Sequence, residues 1–334
     1  MKYYSGKTIL VTGATGLLGS YLVEQLMNMP NVNVIALSRS EEKLKDIFGK
    51  YLNNPRFEII ARDASLDVPR IEKQLDVIFH AASPISGETI KNSPVDVIEP
   101  NIIGTKRYLD YLKEQEAGNG VKGRLILFSS ATVYSNLGNE DRVVIEEETS
   151  IADKLDAANA PYSESKRMVE VLARAYHKQY GVDTVIARFS YIYGYSYFQP
   201  NTAFYEFIRK ALRGEDITMN NSDIPRRDNI YVRDAVEALL YLGAYGNPAE
   251  AYNISSNGEE NNFMAVDEMA QIIAQVVNEE NNSGVRVKYL SPKADKRKPG
   301  IVLCNEKMKE LGWSLKYSMS EGIKETIQMF MQRN

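Results

Sequence analysis

Thr8-Ile-Leu-Val-Thr-Gly13-Ala-Thr-Gly16-Leu-Leu-Gly19 is the stretch on which the fold turns. Thr8–Val11 reads as a short buried strand, and Leu17–Met27 carries apolar residues at helical spacing. Three glycines lie between and just inside them. In that order each has a mechanical use: one permits a tight turn, one lets backbone approach a pyrophosphate, and one lets helix and strand pack closely. The start of the helix then offers free N–H groups and a positive dipole end to phosphates. Gly13, Thr15, Gly16, Leu17, Leu18 and Gly19 are therefore candidate dinucleotide contacts. Plain loops also carry such glycines; the flanking strand and helix select the dinucleotide reading.

Outward from this turn the pattern repeats. Val34–Leu37, Phe57–Ala61, Val77–Phe79, Arg124–Phe128 and Thr184–Phe189 read as buried strands, and Val95–Gln115 and Tyr162–Tyr180 as helices. Near-continuous apolar strands alternating with helices imply a parallel sheet covered on both faces, with right-handed crossovers. The expected fold is α/β: a Rossmann-type doubly wound parallel sheet with a smaller C-terminal α/β substrate-binding part. Residues 1–190 form the dinucleotide-binding domain, with a return near 226–255 through a strand around Asn229–Tyr231. Residues 191–334 form mainly the substrate part. There Asn201–Arg213, Arg233–Gly243, Met264–Val277 and Ser320–Gln332 read as helices, and polar Asn278–Gly284 as a surface loop.

Composition narrows the class. The 334 residues, 44% of them apolar, suffice for one large domain or a domain with an appendage. A net charge of −4 argues against a nucleic-acid surface or an anionic membrane. Cys304 is the single cysteine, so no disulfide closes within the chain, which suits a reducing compartment. The opening apolar run is too short for a signal peptide, and no stretch nears the roughly 20 apolar residues of a membrane span. A soluble, cytoplasmic protein is expected. His80 and His177 lie far apart in sequence and no cysteine cluster exists, which disfavours a catalytic metal.

The second strand bears on the choice of dinucleotide. NAD sites place a carboxylate at its end, on the ribose hydroxyls. Here it ends Leu37-Ser38-Arg39. A guanidinium suits the 2′-phosphate of NADP, so Ser38 and Arg39 favour NADP over NAD, against the alternative of a solvated surface arginine. After the third strand come Asp63 and Ala64. The carboxylate can accept from an adenine amino group or cap a helix. Ala81 and Ala82, after the fourth strand, are small enough to let a ribose or phosphate pass.

Tyr162-Ser-Glu-Ser-Lys166 places a phenol and an ammonium at i and i+4, on one helix face. Tyr3/Lys7 and Tyr289/Lys293 share the spacing, but only Tyr162 opens a long helical pattern, with Pro161 before it. A free phenol has a pKa of about 10. A nearby cation and a positive nicotinamide favour the phenolate, which can take a proton from an alcohol as hydride leaves the same carbon. Ser130 ends the fifth strand, where open α/β sheets place ligands, and can hold the substrate oxygen. Tyr191, Tyr193, Tyr195 and Tyr197 alternate; a packed, partly exposed segment is favoured over a stacking platform.

These residues resemble the extended short-chain dehydrogenase/reductase family, in particular its nucleotide-sugar epimerases, dehydratases and reductases. The resemblance covers nearly the whole chain. It includes Thr12-Gly13-x-x-Gly16-x-x-Gly19, Asp63, His80-Ala-Ala82, Asn101-x-x-Gly104-Thr105, Ser129-Ser-Ala-Thr-Val-Tyr134 and Tyr162-x-x-x-Lys166. It continues through Arg188-Phe-Ser-Tyr-Ile-Tyr-Gly194, Arg227-Asp-Asn-Ile-Tyr-Val232, Ala251-Tyr-Asn-Ile254, Glu310-Leu-Gly-Trp313 and Ser320-Glu-Gly-Ile323. It implies that Lys166 also holds the nicotinamide ribose and that Asn101 supports the active site. Arg227 and Arg297 become candidates for a nucleotide diphosphate, each with a surface alternative. It implies a homodimer through the helices at Val95–Gln115 and Tyr162–Tyr180.

The departures refine this. Sugar 4,6-dehydratases carry Asp-Glu where this chain has Ala131-Thr132, and related decarboxylases keep a glutamate at the Thr132 position. Ser-Ala-Thr looks more like the sugar 4-epimerases. Ser190 replaces a common substrate-binding asparagine, and Ser135 replaces the glycine after Tyr134. The resemblance thus implies a nucleotide-sugar epimerase acting by transient oxidation of a sugar hydroxyl. An NADPH-dependent keto-sugar-nucleotide reductase is the close alternative, favoured by Arg39. A non-catalytic NAD(P)-sensing protein is a third, opposed by the retention of Tyr162 and Lys166.

Overall fold

In the computed structural model, residues 2–66, 68–69, 71, 73–82, 87–135, 143–149, 152–219, 226–291 and 300–333 are described. The strands are β1 (Thr8–Thr12), β2 (Asn33–Ser38), β3 (Phe57–Ala61), β4 (Val77–His80), β5 (Arg124–Ser130), β6 (Val143–Ile145), β7 (Asp183–Phe189), β8 (Tyr191–Tyr193), β9 (Ile217–Met219), β10 (Arg227–Tyr231), β11 (Ala251–Ile254), β12 (Phe263–Met264), β13 (Val287–Tyr289) and β14 (Ile301–Leu303). The helices are α1 (Leu17–Met27), α2 (Glu41–Phe48), α3 (Gly87–Asn92), α4 (Val95–Glu99), α5 (Thr105–Asn119), α6 (Ala160–Tyr180), α7 (Ala203–Leu212), α8 (Val232–Tyr245), α9 (Val266–Asn281), α10 (Glu306–Glu310) and α11 (Met319–Arg333).

Seven strands form one all-parallel sheet in the order β11-β7-β5-β4-β1-β2-β3. The central strands are apolar throughout because both faces are covered, and alternate residues serve alternate faces. Ile9, Val11, Val34, Ala36, Val77 and Phe79 point into a core shared with α1, α8 and the C-terminal elements. Leu10, Ile35, Ile78 and Leu125 pack on Tyr108, Leu109 and Leu112 of α5 and Tyr176 of α6. Strand order reverses between β1 and β4, which opens a crevice above their C-terminal ends.

Three local features differ from the sequence expectation, and one pairing was not anticipated. The helix read over Val95–Gln115 is broken: α4 passes through a π turn at Pro100–Gly104 before α5. Pro100 has no N–H to donate and so interrupts the regular ladder. The polar run after Val277 extends α9 to Asn281, and left-handed Asn282 ends it. Asn278 makes that end sturdy by accepting from Ser283 and Val285. The strand at Asn229–Tyr231 forms, but β10 pairs with β8 and β12 in a separate three-stranded sheet. It is β11 that returns to the main sheet, beside β7. Finally, short β6 pairs in parallel with distant β14.

Candidate active site

The glycine turn works by leaving side chains out. Gly13 has φ +64°, and a Cβ there would lie 3.0 Å from the backbone of Ala81 and Ala82. A Cβ on Gly19 would strike the Gly13 carbonyl oxygen. Gly16 starts α1 without a side-chain cap, so the amides of Leu17, Leu18 and Gly19 are left for a ligand. A bare backbone cradle ending on a helix N-terminus fits a pyrophosphate. Beside it, Thr12 Oγ1 bonds His80 Nδ1 at 3.0 Å and accepts from Ala82 N–H at 3.2 Å, fixing the small residues after β4. Burial, reinforced by nearby Lys166, drives the His80 imidazole to about 3, so it is neutral.

At the other end of the crevice, Ser38 Oγ and Thr15 Oγ1 lie 2.7 Å apart and join β2 to the glycine turn. Arg39 is exposed. Asp63 Oδ1 accepts from the Ser65 amide at 2.9 Å and its hydroxyl at 2.6 Å. Burial lifts the Asp63 carboxyl, but those bonds and the charge of Arg39 outweigh it and hold the pKa below its ordinary value. Asp63 thus caps its own turn through one oxygen. Buried Ala64 packs under the sheet.

The candidate catalytic residues converge at the end of β5. Ser130 closes β5 and caps the 3₁₀ turn Ala131–Tyr134 by accepting from Thr132 N–H at 3.2 Å. Tyr162 stands in the first turn of α6 with its phenol near enough to the Ser130 hydroxyl to be influenced by it. Burial raises its phenol above the ordinary value, and the neighbouring Ser130 hydroxyl pulls the other way. Lys166, one turn on, is only 5% exposed. Its ammonium donates to the Phe128 carbonyl at 2.7 Å and lies 5.9 Å from the Tyr162 ring centroid. Burial lowers it to about 8, against the pull of Glu170. Asn101, in the π turn, donates to Ser165 Oγ at 2.8 Å, and Ser165 donates to the Tyr162 carbonyl.

Beneath this set lies a buried polar network that the sequence reading did not assign. Glu170 holds Arg188 of β7 through contacts of 2.6–3.2 Å and accepts from Ser129 Oγ at 2.5 Å. Arg188 also donates to Tyr134 Oη and the Glu147 carbonyl, both at 2.8 Å. Tyr134 donates to Asn253 of β11 at 2.6 Å. These bonds tie β5, β7, β11 and α6 together directly under Ser130 and Lys166. Two signals pointed here: Glu170 follows Lys166 by four residues, and Arg188 is the one charge inside the apolar run Thr184–Phe189.

Two buried hydroxyl oxygens at the crevice, Thr132 Oγ1 and Ser190 Oγ, have no hydrogen-bond partner. They follow neighbouring strand ends, since Ser130 pairs with Phe189. Arg227 sits on β10 with its guanidinium 4.5 Å from the Tyr191 ring centroid. Arg297 lies outside the described residues. Of the alternating tyrosines, Tyr193 and Tyr195 are buried, Tyr197 is partly buried and Tyr191 is exposed.

The family model for the NAD dependent epimerase/dehydratase family matches residues 9–255. UDP-glucuronic acid decarboxylase 6 of Arabidopsis thaliana is 32% identical over 328 residues, covering 96% of this chain and 88% of the relative. Among solved structures, UDP-N-acetylglucosamine 4-epimerase from Methanobrevibacter ruminantium M1, in complex with UDP-N-acetylmuramic acid, superposes with a TM-score of 0.80 at 22% identity, covering 99% of this chain and 100% of that one. dTDP-glucose 4,6-dehydratase from Bacillus anthracis, in complex with NAD, gives 0.78 at 23% identity, covering 98% and 97%. At these identities the structural likeness speaks to the fold.

Proposed function

Because the chain belongs to the NAD dependent epimerase/dehydratase family, we propose that it is a nucleotide-sugar epimerase acting by transient oxidation of a ring hydroxyl. The observation that carries this reading is the meeting of Tyr162 and buried Lys166 on α6, 5.9 Å from ammonium to ring centroid, with Ser130 at the adjoining end of β5. Gly13, Gly16, Gly19 and the first amides of α1 hold the pyrophosphate, and Lys166 holds the nicotinamide ribose. When bound, an oxidised nicotinamide supplies a reversible hydride acceptor and a positive charge that favours the Tyr162 phenolate. Ser130 orients the reacting hydroxyl, and Tyr162 takes its proton and later returns it. Thr132 and Ser190 offer unpartnered hydroxyls to the sugar. The turn Ala131–Tyr134 contains no carboxylate, so it lacks the acid and base that water elimination needs.

Incubation with a panel of UDP-sugars tests this. The expected product is an epimer, formed with no net change in the reduced-nicotinamide absorbance band. Loss of water or release of carbon dioxide would replace epimerisation by dehydration or decarboxylation. Net consumption of NADPH would instead select the reductase, the reading that exposed Arg39 favours. We place Arg39 on the 2′-phosphate of NADP: Arg39→Ala then weakens NADPH binding far more than NADH binding, and equal weakening removes that assignment.

We also propose a homodimer. Val95, Ile98, Ile103, Met168, Val171 and Tyr180 are exposed on α4, the adjoining π turn and α6, which pack side by side. Val171→Glu is expected to yield monomers in sedimentation; an unchanged mass would exclude this face. No described helix is long and apolar enough to cross a membrane. With its single cysteine, the chain is proposed to reside in the cytoplasm, which cell fractionation checks.

A further inference from the structure

The residue after Tyr134 breaks a conformational rule. Ser135 ends the 3₁₀ turn with φ +63° and ψ 175°, a region that is essentially glycine's because a Cβ there crowds its own backbone. A serine holds this conformation only if its surroundings enforce it. Asp153 enforces it. Ser135 Oγ donates to Asp153 Oδ1 at 2.5 Å, and Ser163 Oγ donates to Asp153 Oδ2 at the same distance. Asp153 N–H donates to Glu164 Oε1 at 3.0 Å. Glu164 lies 3.4 Å from Arg167, which donates to the Val133 carbonyl at 2.8 Å. Ser163, fully buried, is the neighbour of Tyr162. The turn that begins at Ser130 is therefore fastened at its far end to the first turn of α6, where Tyr162 stands.

We propose that Ser135, Asp153 and Ser163 form a clamp that positions Ser130 against Tyr162, with the side chain of Ser135 supplying the restraint its own backbone strain requires. These are positioning residues: the clamp acts by setting where the Ser130 hydroxyl lies relative to the Tyr162 phenol. The proposal rests on the catalytic set put forward above. It also follows that a glycine at position 135 would make the clamp dispensable, since glycine adopts this turn without strain.

The test reads the Tyr162 phenol directly and needs no substrate. Protein labelled with carbon-13 at the tyrosine Cζ gives a Tyr162 resonance, assigned by its loss in Tyr162→Phe. Its position at neutral pH reports hydrogen bonding at the phenol oxygen. Ser135→Ala keeps the strain and removes the restraint, so the resonance is expected to move; Asp153→Ala is expected to move it in the same direction. Ser135→Gly removes strain and restraint together, so the resonance stays near its wild-type position. If Ser135→Ala fails to fold, Asp153→Ala carries the test: a moved resonance supports the clamp and an unmoved one overturns it. An unmoved resonance in Ser135→Ala, or an equal shift in the glycine variant, overturns the clamp. Absence of any epimer product would end the epimerase reading while leaving this spectrum fully readable.

Discussion

The β1–α1 turn and the first turns of α6 both line the proposed dinucleotide crevice, by opposite means. At Gly13 and Gly19 the chain omits side chains, so strand and helix approach closely and the backbone is left bare. At α6 the chain buries polar side chains instead. Glu170, Arg188 and Ser129 are each less than a tenth exposed, and each is satisfied by another protein group. Omission tolerates no added atom but asks nothing of distant residues. A buried network tolerates no missing partner, and it makes the catalytic end depend on four strands and helices at once.

The largest effect that would sharpen this contrast is at Glu170. Glu170→Ala leaves the Arg188 guanidinium buried without its carboxylate, which costs about 3–5 kcal/mol. Denaturant unfolding measures it, and a cost near that of a surface substitution would show that the network is not what holds this end. Next comes Gly13→Ala. A left-handed φ and a methyl pressed on the Ala81–Ala82 backbone cost about 2–3 kcal/mol, with dinucleotide affinity falling at least tenfold. Unchanged affinity by calorimetry would break the omission argument.

Smaller, and of opposite sign, is Lys166→Met. Lys166 titrates at about 8 in the fold against an ordinary 10.5, with burial the chief cause. Between those values the unfolded chain binds more protons. The buried ammonium therefore destabilises the fold fully below pH 8, and this fades as pH rises toward 10.5. Removing it is expected to stabilise the protein by about 2 kcal/mol at neutral pH while abolishing activity. A melting series across that window should show wild type and variant converging as pH rises; a constant gap would contradict the burial argument.

The two regions also differ in how far the sequence revealed them. The absence of side chains is visible in a string of residues, and so is period, so the glycine turn, the parallel sheet and the Tyr162/Lys166 face of one helix were all legible. The network was not, because Ser129, Glu170 and Arg188 meet only after β5, α6 and β7 have packed. The break in the helix over residues 95–115 had a visible cause in Pro100. The exchange of roles between β10 and β11 had none: both are short, half-polar strands, and tertiary packing alone decides which joins the main sheet. Ser135 was legible as a substitution but not as strain, since φ is a property of the fold.

The proton transfer assigned to Tyr162 is tested most directly by Tyr162→Phe, which removes one oxygen and leaves the ring packing in place. Turnover on the UDP-sugar that the wild type accepts is expected to fall by about a thousandfold, with dinucleotide affinity within about twofold of wild type. Turnover within tenfold of wild type would contradict the assignment and with it the reading of Ser130 and Lys166 as its partners.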